Sequence, residues 1–312
     1  GTGYVRRGPR DGPPRRLTEG GGSMERWRQS VRDRILGGAG DAESRRFAGI
    51  VAALVTGDQN VIERADWDVF RATGVAHLMS ISGLHITMFA WLAAACIGWA
   101  WRRSARLGLP ARWDPCQRLP APAAALIGGV LLATGYALFS GWGVPAQRTV
   151  TMLAIVGLLQ LSGRRWPWPQ VWLLACGSVV LLDPWALAQA GFWLSFVAVG
   201  VLFATNSIAN QASSTGATGH FYALVREQWV VTLALTPLGL LLFGQVSLVG
   251  FVANLVAIPW VTLVVTPLAL GGVLWAPLWS AAALSLQPFT AWLQWLAQWP
   301  LAAVFLPAAP LW

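Results

Sequence analysis

The sequence predicts an all-α fold: a polytopic bundle of transmembrane helices behind a short polar N-terminal segment. Three observations predict it. The chain is 55% hydrophobic and only 11% charged over 312 residues, against about 25% charged in an average soluble domain. Its apolar residues come in long blocks, several of them near the roughly 20 residues a helix needs to cross a bilayer. Its charge is gathered at one end: residues 1–118 carry 18 of the 22 arginines and 11 of the 13 acids, and lysine is absent. The net charge of +9 therefore describes a polar head on a nearly uncharged body, not a basic soluble protein.

The elements follow in order. Residues 1–22, rich in Arg, Gly and Pro, are expected to be disordered and lack the apolar core of a signal peptide. Residues 23–46 mix charged and apolar positions at helical spacing, which predicts an amphipathic helix outside the hydrocarbon. Residues 1–46 thus form a polar N-terminal segment and residues 47–312 a membrane domain. The run 47–57 is apolar but short, so it predicts a buried or interfacial helix, not a span. Apolar blocks at 75–101, 120–140, 144–162, 168–182, 185–205, 228–243, 247–270, 272–286 and 289–306 predict roughly eight or nine spans. Prolines 145, 237, 259 and 267 predict that some are broken or kinked. A polar loop is expected over 206–220.

Basic loops stay cytoplasmic. Arg102, Arg103, Arg106, Arg112 and Arg118 follow the first strong span, and Arg164-Arg165 comes two spans later. Both fall on one side if the intervening spans cross, which puts the segment before residue 75 outside. Three cysteines (Cys96, Cys116, Cys176) and three histidines make neither a disulfide framework nor a metal cluster, so no metal or cofactor is expected.

Polar groups at membrane depth mark candidate functional positions. On a helix, His77, Ser80, His85, Thr87 and Met88 fall within about a half-circle. Ser82 and Gly83 lie in the same run, and small and polar residues also serve plain helix packing. Arg148 opens the third span, at its outer end, where a guanidinium suits an anion such as phosphate; snorkelling to the interface is the alternative. Asp183-Pro184 reads as a helix start, followed by Phe192-Trp193-Leu194-Ser195-Phe196. Asn254 lies one turn before Pro259 in an apolar block.

Taken together, these residues resemble the competence domain of the ComEC family. The resemblance rests on Thr56-Gly57-Asp58, on His77-Leu78-Met79-Ser80-Ile81-Ser82-Gly83-Leu84-His85, on Arg148, on Asp183-Pro184 with Phe192 to Phe196, and on Asn254 to Pro259. The set occurs in family order over about residues 47–270. It implies an inner-membrane, multi-pass channel through which one DNA strand enters the cytoplasm during natural transformation, and a conduit, not an enzyme. His77, Ser80, Ser82, Gly83, His85, Arg148, Ser195 and Asn254 become candidates to line the path. Asp58, Asp183, Pro184 and Pro259 become structural or loop-positioning residues. The implied partners are single-stranded DNA, the lipid bilayer, a separate DNA-delivery protein and a cytoplasmic ATP-driven motor; a homo-oligomer stays open. The family's N-terminal oligonucleotide-binding-like barrel and C-terminal metallo-β-lactamase-like domain have no counterpart in the sequence. The chain begins at Gly1, not Met, and is expected to be a fragment or a reduced form. Two rivals remain. One is a small-molecule transporter, which predicts internal repeats. The other is an intramembrane serine hydrolase using Ser82, against which stands the placement of Ser82 and His85 in one helix.

Overall fold

The computed structural model describes residues 22–104, 116, 119–209, 217–300 and 302–305. The expected disorder of residues 1–22 thus falls almost wholly outside the described residues, as do Arg106, Arg112 and Arg118 and the centre of the 206–220 loop.

Two helices, α1 (Ser23–Gly37) and α2 (Ala42–Thr56), stand where the sequence pattern suggests one over 23–46. Glycines 37, 38 and 40 end the first. Asp41 starts the second by accepting the Ser44 N–H at 3.1 Å, an N-cap that satisfies one of the free donors of the first turn. The expected boundary at 46/47 therefore falls inside α2. Helix α2 carries an unbroken buried run, Phe47–Thr56, and lies in the largest core, packed by α1 and by two C-terminal helices. The apolar run that is too short for a span is thus a buried helix. It ends at Gly57, whose φ of 78° is left-handed. Helix α3 (Arg64–Ala72) follows and is tied to α2 by an ion pair. There Arg46 Nε donates to both oxygens of buried Asp66, at 2.9 and 3.1 Å.

Helices α4 (Gly83–Ser104), α5 (Ala121–Phe139), α6 (Val144–Leu161), α7 (Trp168–Leu182) and α8 (Ala190–Ala209) follow, each from α5 onward packed on the one before it. Helix α9 (Ala217–Phe243) leads to α10 (Gly250–Trp260), which widens into a π-helical turn, Val261–Val265, and continues as α11 (Thr266–Gly271). Helix α12 (Pro277–Ala297) returns alongside. The all-α expectation needs one addition: strands β1 (Gln245–Ser247) and β2 (Ala303–Phe305) pair antiparallel, Val246 opposite Val304. Ser247 Oγ donates to the Ala72 carbonyl at 2.7 Å, tying this ladder to the end of α3.

Among the described residues, four helical stretches are long and apolar enough to cross a membrane: Ala76–Ser104, which is α4 with the short turn before it, α5, α6 and the continuous Gly250–Gly271. The count of eight or nine is not reached among the described residues. Helix α7 and the apolar part of α8, Ala190–Thr205, are short. Helices α9 and α12 are long but more polar, with Arg226 and Glu227 in one and Gln287 and Gln294 in the other. The chain is a helical membrane protein. Of the four prolines, Pro145 sits in a first turn, where the missing N–H costs nothing; Pro237 and Pro259 are inside helices and Pro267 lies within the continuous Gly250–Gly271, and Pro288 interrupts α12 as well.

Candidate functional site

The segment leading into α4 is not one helix, contrary to its pattern. His77 sits in a single 3-10 turn, Ala76–Leu78; residues 79–82 are irregular, and α4 begins at Gly83. The expected polar face therefore does not form. His77 is exposed, its Nδ1 3.2 Å from the Gly74 carbonyl oxygen. Ser80 Oγ donates to the His77 carbonyl at 3.4 Å. Thr87 is exposed, with its hydroxyl on the Gly83 carbonyl. Only His85 of the polar side chains turns fully inward, at 1% exposure.

A cap explains the break. The Ser82 backbone N–H donates to His85 Nδ1 at 3.3 Å, and Ser82 Oγ lies 3.3 Å from the same nitrogen. This is the returning half of a capping box, with His in place of the usual Glu or Gln. A nitrogen that accepts carries no proton, so in the neutral ring the proton is on Nε2. That atom is buried and has no hydrogen-bond partner. Ser82 and His85 thus touch, and the objection that one helix keeps them apart fails. The contact is still a cap: the nitrogen a base would use already accepts a backbone N–H, and no described carboxylate orients the other.

Arg148, in the first turns of α6, is 7% exposed, and its Nε is buried without a partner. No described acid pairs with it. A Cβ on Gly191 would stand 2.9 Å from its Nη2 and 3.3 Å from its Nη1, so the guanidinium lies against the first turn of α8. Asp183 holds the approach to that turn. Its Oδ1 accepts the Trp185 N–H at 3.1 Å and its Oδ2 accepts from Gln189 Nε2 at 3.2 Å, across the 3-10 turn Pro184–Ala188. Ser195, half-buried, lies one turn beyond Gly191 on the same helix face.

Asp58 sits just past α2. Its Oδ2 accepts from Arg32 Nη1 of α1 at 2.9 Å, and its Oδ1 accepts from the backbone N–H and side-chain amide of Asn60 at 3.2 and 3.0 Å. Burial pushes this carboxyl up, but the hydrogen bonds from Arg32 and Asn60 outweigh it and hold it below its ordinary value.

These segments join end to end. A Cβ on Gly57 would overlap the Ser140 carbonyl oxygen and stand 3.4 Å from Ile81 Cδ1. A Cβ on Gly83 would stand 2.6 Å from Thr149 Oγ1, next to Arg148, which in turn meets Gly191. The chain of contacts runs where α2, α5 and α7 end and α4, α6 and α8 begin, which is one end of the bundle.

Asn254 and Pro259 stand apart on α10, though the π turn beyond them touches α4. Asn254 Oδ1, Thr262 Oγ1 and Thr266 Oγ1 are buried without partners. Thr262 and Thr266 are residues that sequence reasoning missed. Elsewhere helical threonines satisfy themselves: Thr134, Thr151 and Thr290 donate to the carbonyl four residues back at 2.8–2.9 Å. The Thr266 N–H instead bonds Val261, five back, so the carbonyl that its hydroxyl would reach is displaced.

Among the described residues no group of three His, Cys, Asp or Glu side chains is placed to hold a metal. The order in which the motif segments meet points to a family, and comparison decides it: the family model described as Competence protein matches residues 54–312. The chain belongs to this family. The ComEC-type resemblance of its motifs is thereby borne out. This competence-family chain is 37% identical over 297 residues to Competence protein ComA of Neisseria gonorrhoeae, covering 90% of the chain and 38% of that protein. It is 37% identical over 223 residues to Uncharacterized protein YcaI of Escherichia coli K12, covering 71% and 28%. It is 32% identical over 236 residues to Recombination protein 2 of Haemophilus influenzae, covering 73% and 28%. The chain thus spans 28–38% of the length of these relatives. No solved structure matches it.

Proposed function

We infer that the chain is the membrane conduit of a competence protein, through which single-stranded DNA crosses the inner membrane during transformation. One observation carries the reading. Among the described residues, five buried side-chain atoms have no partner, His85 Nε2, Arg148 Nε, Asn254 Oδ1, Thr262 Oγ1 and Thr266 Oγ1, and all lie on helices that cross or begin a crossing. Unsatisfied polar atoms at membrane depth are expensive unless water or a passing polar cargo meets them. The competence names of relatives support the choice of cargo.

The reading includes eight crossings: α4, α5, α6, α7, α8, α9, α10–α11 and α12. The β ladder supports that count. It joins the end of α9 to the end of α12, and Ser247 joins both to the approach to α4; eight alternating crossings put these three places on one side. Arg102, Arg103, Arg164 and Arg165 fall on the other side, which the basic-loop rule makes cytoplasmic. The motif cluster is then the outer mouth. A delivery protein would meet it there, and a motor on the cytoplasmic side would pull.

The test is His85→Phe in the complete gene, assayed for uptake of labelled DNA. Surface-bound DNA should persist while entry of the strand falls sharply. Unchanged entry would remove the His85 region from the path. The hydrolase alternative rests on the Ser82–His85 contact and is tested by Ser82→Ala: loss of peptide cleavage by the purified protein, with uptake intact, would replace the conduit reading. Internal repeats would favour the small-molecule transporter.

A further inference from the structure

We propose that the Arg148 guanidinium and the amino-terminal turn of α8 together form a binding subsite for one phosphate group. Resting on the conduit reading, the group is assigned to the phosphodiester backbone of the crossing strand.

Electrostatics carries the argument. A buried guanidinium without a counter-charge is unfavourable. Here it also faces a helix amino terminus, which bears unpaired N–H groups and roughly half a positive charge. Two positive ends this close, with the guanidinium 2.9 Å from where a Cβ on Gly191 would stand, disfavour each other unless an anion joins them. A tetrahedral oxyanion meets both, taking the planar fork of the arginine on one edge and backbone N–H groups on another.

The nearest carboxylate that might serve instead is otherwise engaged. Both oxygens of Asp183 are committed to Trp185 and Gln189, so this acid shapes the turn that presents α8. The Phe192 N–H is used on the Gln189 carbonyl at 3.0 Å, which leaves the Ala190 and Gly191 amides for the ligand. Glycine at 191 keeps the approach open, and the Ser195 hydroxyl follows one turn along the same face. Residues distant in sequence therefore build one subsite: Asp183 positions the turn, Gly191 makes the room, and Arg148 supplies the charge.

The experiment uses the chain in lipid nanodiscs with a short fluorescent oligothymidylate, read by anisotropy. Arg148→Gln and Gly191→Ala should each weaken binding at least tenfold, the second because its Cβ displaces the guanidinium. Circular dichroism of each variant checks the fold. A neutral methylphosphonate oligomer should bind the wild type no better than the phosphodiester oligomer binds Arg148→Gln. Wild-type affinity in both variants, or equal binding of the neutral oligomer, overturns the subsite. Discs of phosphatidylcholine with and without phosphatidylglycerol separate the sources of phosphate. Arg148-dependent quenching of tryptophan fluorescence by brominated phosphatidylglycerol, with oligomer binding indifferent to Arg148, overturns the assignment to DNA in favour of a lipid headgroup. If the wild type binds no oligomer at all, the conduit reading fails. The subsite then stands or falls on Arg148-dependent binding of phosphatidylglycerol alone.

Discussion

Gly57→Ala tests whether the end of α2 is locked onto the turn between α5 and α6, on which the convergence of the motif segments depends. Two costs add. With φ at 78°, a residue bearing a Cβ costs about 1–2 kcal/mol in the left-handed region. The new Cβ also overlaps the Ser140 carbonyl oxygen, a backbone atom that cannot rotate away. Restoring an ordinary C···O contact requires a relative shift of about 1 Å. That shift strains the Tyr136 Oη hydrogen bond to the Leu54 carbonyl, 3.1 Å and buried, worth about 1 kcal/mol. The sum is about 2–3 kcal/mol. Gly135→Ala is the control: it lies inside α5, and its Cβ meets nothing within 4 Å, so helix propensity should stabilise by up to about 1 kcal/mol. The same chemical change thus separates two variants by about 3 kcal/mol, or roughly 6–12 °C at 2–4 °C per kcal/mol. Thermal unfolding in detergent, followed by circular dichroism, measures it. Two variants melting within about 2 °C of each other, about 1 kcal/mol or less, would refute the close approach of Gly57 and Ser140.

Three further outcomes follow from the same geometry. Asp66→Ala strands Arg46 and should cost about 2–3 kcal/mol in the same melt, less than a fully buried pair because the Arg46 side chain keeps 25% exposure; a change under about 0.5 kcal/mol would mean the pair is solvated. Thr266→Val should be neutral or stabilising, since its hydroxyl has no partner, whereas Thr290→Val, which breaks a 2.8 Å bond to Leu286, should cost about 1 kcal/mol; equal losses would show that Thr266 is bonded. Asp58 has a lowered folded pKa, so its stabilisation is full above the unfolded value of about 3.9 and is lost as pH falls through the folded value. The melting gap between wild type and Asp58→Asn should therefore close below about pH 4, and a gap constant down to pH 2 would refute the linkage.

What the sequence makes legible depends on how local the cause is. The buried character of α2 follows from its length alone, and the break before it is written in Gly37, Gly38, Gly40 and Asp41, which are stop and start signals. The start of α4 is equally local, but its signal is disguised: Ser82 with His85 three residues on is a capping box in which His replaces Glu, so a helix pattern carried back to His77 gives a false polar face. The meeting of Arg148 with Gly191 is legible in neither segment. It depends on how α6 and α8 pack, and only their shared place in a family order hints at it.

The π turn lies between these cases, because its signal is present as a period. Ala253, Ala257, Val261, Val265 and Ala269 are all fully buried, a strict repeat of four. In an α-helix each such step overshoots a turn by about 40°, so four steps would carry Ala269 about 160° away from Ala253. One face cannot bury both ends of that stripe. A wider turn of five-residue hydrogen bonds takes back part of the drift, and Val261–Val265 supplies it at the centre of the stripe. Asn254, Thr262 and Thr266 sit one residue further along the same repeat, with Leu270 after them packed against the Ile81–Ile86 cluster. The widened turn that keeps the small residues on the core therefore also lines three unsatisfied oxygens along one seam, which touches α4 at the π turn. The repeat of four predicts both.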